Sequence, residues 1–322
     1  MRNVATFLRS VAAVLALTTL AFAQQQGEAP SLSPQELVRR TIENETRSTN
    51  GGNRFMFRGT KTTPKGSTTK LYVETKDATA GMVIAYDGRP LTAEQRRAEQ
   101  DRIQRFINNP DELRKKRKQE QEDADRTMRI VRALPAAFLY EYDGEEQGRP
   151  GVGRPGDPLV RLRFRPNPQY EPPTRVEQVL TGMQGILLID AVHYRIAQID
   201  GTLFREVGFG WGILGHLDKG GHFLVQQEDV ADNCWEVSKM SLSFTGKILF
   251  FKSLSISSTE LYTDYQRVPA DLSFAQAVEL LKKQEAIVAD KSTSSRMTEN
   301  AEIKQSRQAS SASSSEMFLP ER

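Results

Sequence analysis

The chain has 322 residues, with 44 basic and 41 acidic side chains and a single cysteine. The near balance of charge gives no reason to expect a nucleic-acid partner. One cysteine cannot form a disulfide within the chain. We therefore expect an apolar core, not covalent cross-links, to hold the fold, and the length allows one large domain or two small ones.

The first 23 residues have the pattern of a cleavable secretory signal peptide. Arg2 and Arg9 supply positive charge before an apolar run at residues 11–20, and residues 21–23, Ala-Phe-Ala, fit the small-x-small cleavage site. The alternative is a membrane anchor, but the run is shorter than the roughly 20 residues that span a bilayer. The sequence predicts an exported chain, periplasmic or otherwise outside the cytoplasm, that is soluble after cleavage at about Ala23.

The remaining chain divides by composition into three parts. Residues 24–32 are predicted to be a polar tether, and residues 289–322, rich in serine and poor in apolar side chains, are predicted to be disordered. Between them, residues 33–288 are predicted to form one β domain. A capping box at Ser33–Glu36 indicates that the domain begins with a helix, predicted at 34–44.

A charged segment at residues 92–132 interrupts the early strands. It contains no glycine, and Asn109-Pro110 divides it into two predicted helices, 92–107 and 110–132. The middle of the second helix has almost no apolar face, so it is predicted to extend into solvent or to be held by ion pairs. The basic run Arg114–Lys118 either meets an anionic surface or envelope protein, or is simply solvated.

Alternating and apolar runs predict strands on both sides of this helical insertion. In residues 159–164, Leu162 and Phe164 fall on one side and arginines on the other. A tight reversal is predicted at Thr245–Gly246, and a final helix at 274–283. The predicted strands are 55–57, 71–73, 81–86, 138–142, 159–164, 186–190, 194–200, 204–208, 222–229, 235–244, 247–256 and 258–265.

No catalytic motif emerges from the sequence. His216 and His222 flank Asp218, so a metal site can be imagined, but their spacing fits no ligand motif. No serine lies in G-x-S-x-G. The sequence predicts neither a cofactor, nor a metal, nor enzymatic activity.

The segment from Gly208 to Gly215 is unusual because glycines separate large apolar residues. One interpretation is that the aromatic side chains plug one end of the sheet. The other is that they form an apolar lip at a ligand cavity. The residues concerned are Phe209, Trp211, Ile213 and Leu214.

Several short segments resemble the LolA/LolB-like periplasmic lipoprotein-carrier superfamily. They are residues 185–190 (GILLID), 194–196 (YRI), 249–252 (LFFK) and 262–265 (YTDY). The resemblance covers roughly residues 33–285, and residues 166–168 and 209–219 also resemble exported proteins of the acidobacterial type. It implies an α+β fold: a curved antiparallel sheet, or incomplete β-barrel, with helices across its concave face. The helical hairpin at 92–132 is an insertion into that pattern, and no arginine can be matched to the one that holds the carriers' lid.

Three functional hypotheses follow from these observations. In the first, a monomer holds a lipid or lipoprotein acyl chain in an apolar hollow lined by Leu162 and Phe164, with Phe209, Trp211, Ile213 and Leu214 at its lip. In the second, the charged hairpin docks an envelope protein through the Arg114–Lys118 region. In the third, an enzyme uses His216, Asp218 and His222. We expect the first, a binding protein without catalysis.

Overall fold

The computed structural model describes residues 32–48, 52–209, 215–248 and 252–288. The predicted signal peptide, all but the last residue of the predicted tether, and the predicted tail lie outside these ranges. Within them, no helix is both long enough and apolar enough to cross a membrane.

Five helices are described, and the four predicted ones are all present with longer or shifted bounds. Ser33 Oγ accepts a hydrogen bond from the Glu36 amide at 3.2 Å, as the capping box predicts. Ser273 and Gln276 form a second capping box at the start of the last helix. The helices are α1 (Pro34–Ser48), α2 (Ala93–Asn108), α3 (Pro110–Ala137), α4 (Arg175–Gln178), which continues as a 3-10 turn at Val179–Gly182, and α5 (274–288).

Thirteen strands in the described ranges form one antiparallel sheet that does not close into a barrel. The predicted fold class, a curved α+β sheet structure, is confirmed. The strands are β1 (Arg54–Thr63), β2 (Gly66–Val73), β3 (Ala80–Tyr86), β4 (Arg89–Pro90), β5 (Phe138–Gln147), β6 (Pro158–Pro166), β7 (Met183–Asp190), β8 (Arg195–Leu203), β9 (Val207–Phe209), β10 (Gly215–Leu217), β11 (His222–Ala231), β12 (Cys234–Ile248) and β13 (Lys252–Val268).

The first and last strands in the chain, β1 and β13, are neighbours in the interior of the sheet. The order of the strands runs β4-β3-β2-β1-β13-β12-β11-β8-β7-β6-β5, and the short β10 and β9 extend from the far end of β12. The edges of the main path are therefore the two-residue β4 and the longer β5.

The predicted reversal at Thr245–Gly246 is wrong. Strand β12 continues through both residues to Ile248, and β13 is one strand where two had been predicted. Gly246 serves another purpose: a Cβ atom there would lie 2.1 Å from the carbonyl oxygen of His216 on β10. The glycine is needed for close approach of a neighbouring strand, not for a turn.

The register assigns residues to the two faces of the sheet. Leu187, Ile199, Val225 and Met240 lie opposite one another across β7, β8, β11 and β12, so they share one face, which we call the inner face. Leu188 and Ala197 belong to a separate cluster with Trp235, which residues of the loop after β5 help to cover.

Helix α5 packs on the opposite face, against β1, β2 and β3. Its buried residues Phe274, Val278 and Leu281 contact a cluster that includes Leu71 and Met82. The register places these two residues opposite each other, on the face away from Tyr72 and Lys70. This end of the sheet is therefore closed by a helix whose apolar stripe runs along its length.

The first helix of the helical insertion, α2, is joined to the sheet at the edge of β3. Asn109 alone separates α2 from α3, and its Oδ1 accepts hydrogen bonds from the amides of Asp111 and Glu112. Glu99 of α2 accepts the amide of Val83 at 2.7 Å, and Arg102 donates to the carbonyl of Gly81. Helix α2 thus covers the edge of β3, where it satisfies backbone groups that β4 leaves unpaired.

Helix α3 spans a long distance with little support in its middle. Residues 121–127 are all exposed, although they make nearly two turns. The pairs Lys116–Glu120 and Lys118–Glu122, four residues apart, lie beside this span. The sequence-based prediction of a solvated helix with ion pairs is confirmed.

Candidate functional site

The inner face carries a hollow of about 700 Å³ that is open on one side. Its floor comes from strands β5 to β13, its roof from the end of α3, and a wall from α4 with the 3-10 turn that follows. The described residues that line it are Ile130, Val131, Leu134, Phe138, Tyr140, Phe164, Arg175, Val176, Val179, Leu180, Met183, Leu187, Ile199, Phe209, Leu217, Phe223, Leu242, Phe244 and Ile256.

The lining is apolar almost throughout. Only Tyr140 and Arg175 carry a polar side-chain group among the described lining residues. The hydroxyl of Tyr140 donates to the carbonyl of Leu134 at 3.0 Å, and burial raises the pKa of Tyr140 well above its usual range. This hydroxyl therefore stays protonated and engaged, which leaves Arg175 as the one polar group free to meet a ligand.

The roof of the hollow is fixed where α3 ends against α1. Gln35 of α1 donates from Nε2 to the carbonyl of Phe138 at 3.3 Å and also to that of Pro135. These carbonyls lie at the end of a helix, where no intrahelical donor remains. The contact positions Ile130, Val131 and Leu134 above the sheet.

The buried pair Glu45–Arg195 holds α1 to the sheet. Arg195 donates to Glu45 at 2.9 and 3.0 Å, and the amide of Ile196 donates to the same carboxylate at 2.8 Å. Because the charges are paired and hydrogen-bonded, they can be buried without a large penalty. Helix α1 is therefore fixed to the sheet and supports the end of α3, although none of its residues is among the described residues that line the hollow.

The residues predicted to form the site fall into three groups. Phe164 and Phe209 line the hollow. Leu162 does not: it is fully buried in the core directly opposite Leu187, whose side chain does line the hollow. The predicted lip residues Trp211, Ile213 and Leu214 lie outside the described residues.

Sequence reasoning missed the wall that α4 and the 3-10 turn supply. Residues 174–184 were given no structure, yet Val176, Val179 and Leu180 follow helical spacing and all line the hollow. Thr174 and Glu177 also have the spacing of a capping box, although the Thr174 hydroxyl donates to the Glu177 carboxylate at 2.7 Å and does not accept a hydrogen bond from a helix amide. The signal was present, but it is short for a helix.

Beyond the hollow, the molecule has a polar and aromatic region around β1, β2 and β13. Phe57 stacks on Tyr72 and Tyr265 with ring centroids 5.1 and 5.0 Å apart. Burial, followed by the nearby charges of Glu74 and Glu45, raises the pKa of Glu236 to about 7. Burial also raises the pKa of Glu74. These acids therefore have a preference for the neutral form that the unfolded chain lacks.

The structure does not assemble the imagined site of His216, Asp218 and His222. His216 Nε2 lies 3.2 Å from Asp218 and 3.9 Å from Glu206. His222 instead contacts Asp200 at 2.8 Å. Glu206 and Asp218 are exposed or partly exposed, so this cluster has the character of a surface ion-pair group.

The third histidine has a structural role. Asp190 is fully buried; its Oδ2 lies 2.8 Å from His193 Nδ1, and its Oδ1 accepts the amides of Val192 and His193. Arg154 lies 3.0 Å from His193 Nε2 and donates to Asp229. Both carboxylate oxygens of Asp190 are thus engaged beside a guanidinium, an arrangement that joins two loops and is unfavourable for a metal ion.

Comparisons with known proteins give only weak structural similarities. No protein-family profile matches the sequence, and no curated protein matches it. Among solved structures, the chain is similar to a domain described as an outer membrane lipoprotein-sorting protein from Vibrio parahaemolyticus, with 10% identity and a TM-score of 0.27, over 76% of this chain and 99% of that chain. It is also similar to a DUF1329 family protein from Desulfovibrio piger, with 11% identity and a TM-score of 0.28, over 78% of this chain and 100% of that chain.

At such low identities and TM-scores, these similarities say nothing about the family or the ligand of this chain. The class of protein defined by its own fold and site is an open antiparallel sheet with an apolar hollow beneath a helical roof.

Proposed function

We propose that this protein binds a long acyl chain of a lipid or lipoprotein in the hollow of the inner face. The observation that supports the proposal is the lining, which is apolar except for Tyr140 and Arg175. Transfer of a chain from water into such a site is favourable by about 0.8 kcal/mol for each methylene group buried. A cavity of this size lies within the range of small-molecule sites, and an apolar cavity holds water poorly.

The chemical groups of the lining agree with a function of binding without catalysis. No described lining residue has a thiol, a carboxylate or an imidazole, the groups that serve most often as nucleophile or base. The one hydroxyl, on Tyr140, is already donated to Leu134. A carrier or sequestering protein needs only the apolar surface and an opening.

We further propose that the protein acts outside the cytoplasm as a monomer. The pattern of a signal peptide at residues 1–23 supports export. A passive carrier suits a compartment in which acyl chains must be shielded from water during transfer. In this proposal, the hollow shields the acyl chain from water, and the rest of the surface is charged.

A matched pair of leucines tests the proposal. Leu242 lines the hollow, whereas Leu261 is exposed on the opposite face of the neighbouring strand. Leu242→Trp should fill part of the hollow and weaken uptake of a fluorescent fatty acid at least about tenfold, since several buried methylene contacts are lost. Leu261→Trp makes the same chemical change and should leave uptake unchanged. No uptake by the wild-type protein, or equal loss in both variants, contradicts the proposal.

One observation favours a second candidate, docking of an acidic envelope protein on α3. Lys115 and Arg117 are exposed and make no ion pair with the described residues, and residues 121–127 are all exposed. Deleting residues 92–132 is a poor test because Ile103 and Glu99 are buried in the fold. The double variant Lys115→Glu and Arg117→Glu should abolish cross-linking of the purified protein in an envelope extract if α3 is a docking surface. Unchanged cross-links would contradict this second candidate.

A further inference from the structure

Arg175 is the only charged side chain among the described residues that line the hollow. It is the first residue of α4, its side chain is exposed, and it makes no hydrogen bond or ion pair within the described ranges. The nearest acid in sequence, Glu177, is buried and accepts the hydroxyl of Thr174. Arg175 is therefore a cation at the border of an apolar cavity, without a counter-ion among the residues that the structure describes.

Arginine at such a border favours one kind of ligand. Its aliphatic stem can lie along apolar surface while the guanidinium stays in water. The guanidinium presents several N–H donors in a plane and pairs with carboxylate or phosphate through two parallel hydrogen bonds. A ligand with an apolar body and an anionic end can satisfy the hollow and Arg175 together, and a neutral or cationic end cannot.

The size of the hollow limits the apolar body. If a methylene group occupies about as much room as a water molecule of the liquid, about 30 Å³, the cavity holds about twenty such groups. This is enough for one long acyl chain and too little for two.

We propose that the ligand is a single-chain amphiphile with an anionic head group, a carboxylate or a phosphate, which pairs with Arg175 while the chain lies in the hollow. The inference rests on the proposed function and adds the ligand's charge and number of chains. Arg175 acts as a positioning and specificity residue, because it selects the head group and orients the chain.

Three probes with the same chain length separate the contributions of head and chain. They are palmitate, hexadecyl phosphate and the uncharged 1-monopalmitoylglycerol, each titrated against a bound fluorescent fatty acid. Arg175→Gln should weaken palmitate and hexadecyl phosphate about tenfold, the effect of losing a charge-assisted hydrogen-bonded pair. It should leave the uncharged probe unchanged, and Arg175→Lys should retain part of the preference because lysine keeps the charge but not the paired donors.

Arg97→Gln is the matched control. It removes the same charge from an exposed site on α2 that does not line the hollow, so all three affinities should be unchanged. Comparing the wild-type affinities for palmitate and hexadecyl phosphate shows which anion the site prefers. Equal affinities for charged and uncharged probes, or an equal effect of Arg175→Gln on all three, overturn this inference alone. If no probe binds the wild-type protein, the proposed function fails as well.

Discussion

Two regions of the same sheet are covered by helices, yet only one is filled. Under α5, the residues Phe274, Ala277, Val278 and Leu281 pack into the cluster of β1, β2 and β3, and the last three are fully buried. Under α3, only Ile130, Val131 and Leu134 in its last turns reach the hollow, and residues 121–127 contact solvent on all sides.

The difference lies in the pattern of the helices. An apolar stripe along a whole helix, with a small residue such as Ala277 at close contact, lets the helix lie flat on a sheet. Helix α3 carries its packed apolar residues near its two ends, Leu113 at the start and residues 130–134 near the other end, which Gln35 fixes. Its middle therefore spans a space instead of filling it. A cavity can thus follow from the distribution of apolar residues along the helix that covers it.

The largest effect is expected from the filled region. Leu281→Ala should lower the free energy of unfolding by about 4 kcal/mol, because a fully buried leucine leaves a cavity when truncated. Leu242→Ala, in the lining of the hollow, should cost about 1 kcal/mol, because its side chain already faces open space. Urea denaturation measures both, and equal losses would contradict the distinction between a packed and an open region.

The next effect concerns pH. The folded protein binds the Glu236 proton more tightly than the unfolded chain, with a pKa of about 7 against 4.5. The free energy of unfolding should therefore fall as the pH rises from about 4.5 to about 7, by up to about 3 kcal/mol.

Glu236→Gln should remove this fall. The variant should be more stable than the wild type at pH 8 and equal to it at pH 4, because glutamine resembles the neutral acid. Glu94→Gln, at an exposed site, is the control and should keep the wild-type slope. Denaturation curves across this pH range check the prediction, and a Glu236→Gln protein with an unchanged slope would refute it.

The smallest effect is expected where α1 holds the roof. Gln35→Ala removes the donor to the carbonyls of Pro135 and Phe138 and should cost about 1 kcal/mol in the free energy of unfolding. Gln121→Ala, which removes a solvent-exposed hydrogen bond to Asp125, should change it by only a few tenths of a kcal/mol. The two values, from thermal denaturation, should differ because Gln35 fixes the end of α3, whereas residues 121–127 are all exposed.

Sequence reasoning predicted four of the five described helices and most of the long strands, but little of the lining of the cavity. The alternation around Leu162 and Phe164 placed both on one face, because a strand has a strict period of two. Gly246 was misread because a glycine in a turn and a glycine beneath a neighbouring strand look alike in sequence. The helical pattern at Val176–Leu180 was too short to predict a helix. A role for Arg175 can be inferred only once the hollow beside it is known.

Native mass spectrometry of the delipidated protein with palmitate tests the central claim most directly. The account predicts one bound chain per wild-type molecule, one per Leu261→Trp molecule, and none or a small fraction for Leu242→Trp. Absence of a bound chain on the wild-type protein, or equal occupancy of all three proteins, would contradict a ligand-binding hollow on the inner face.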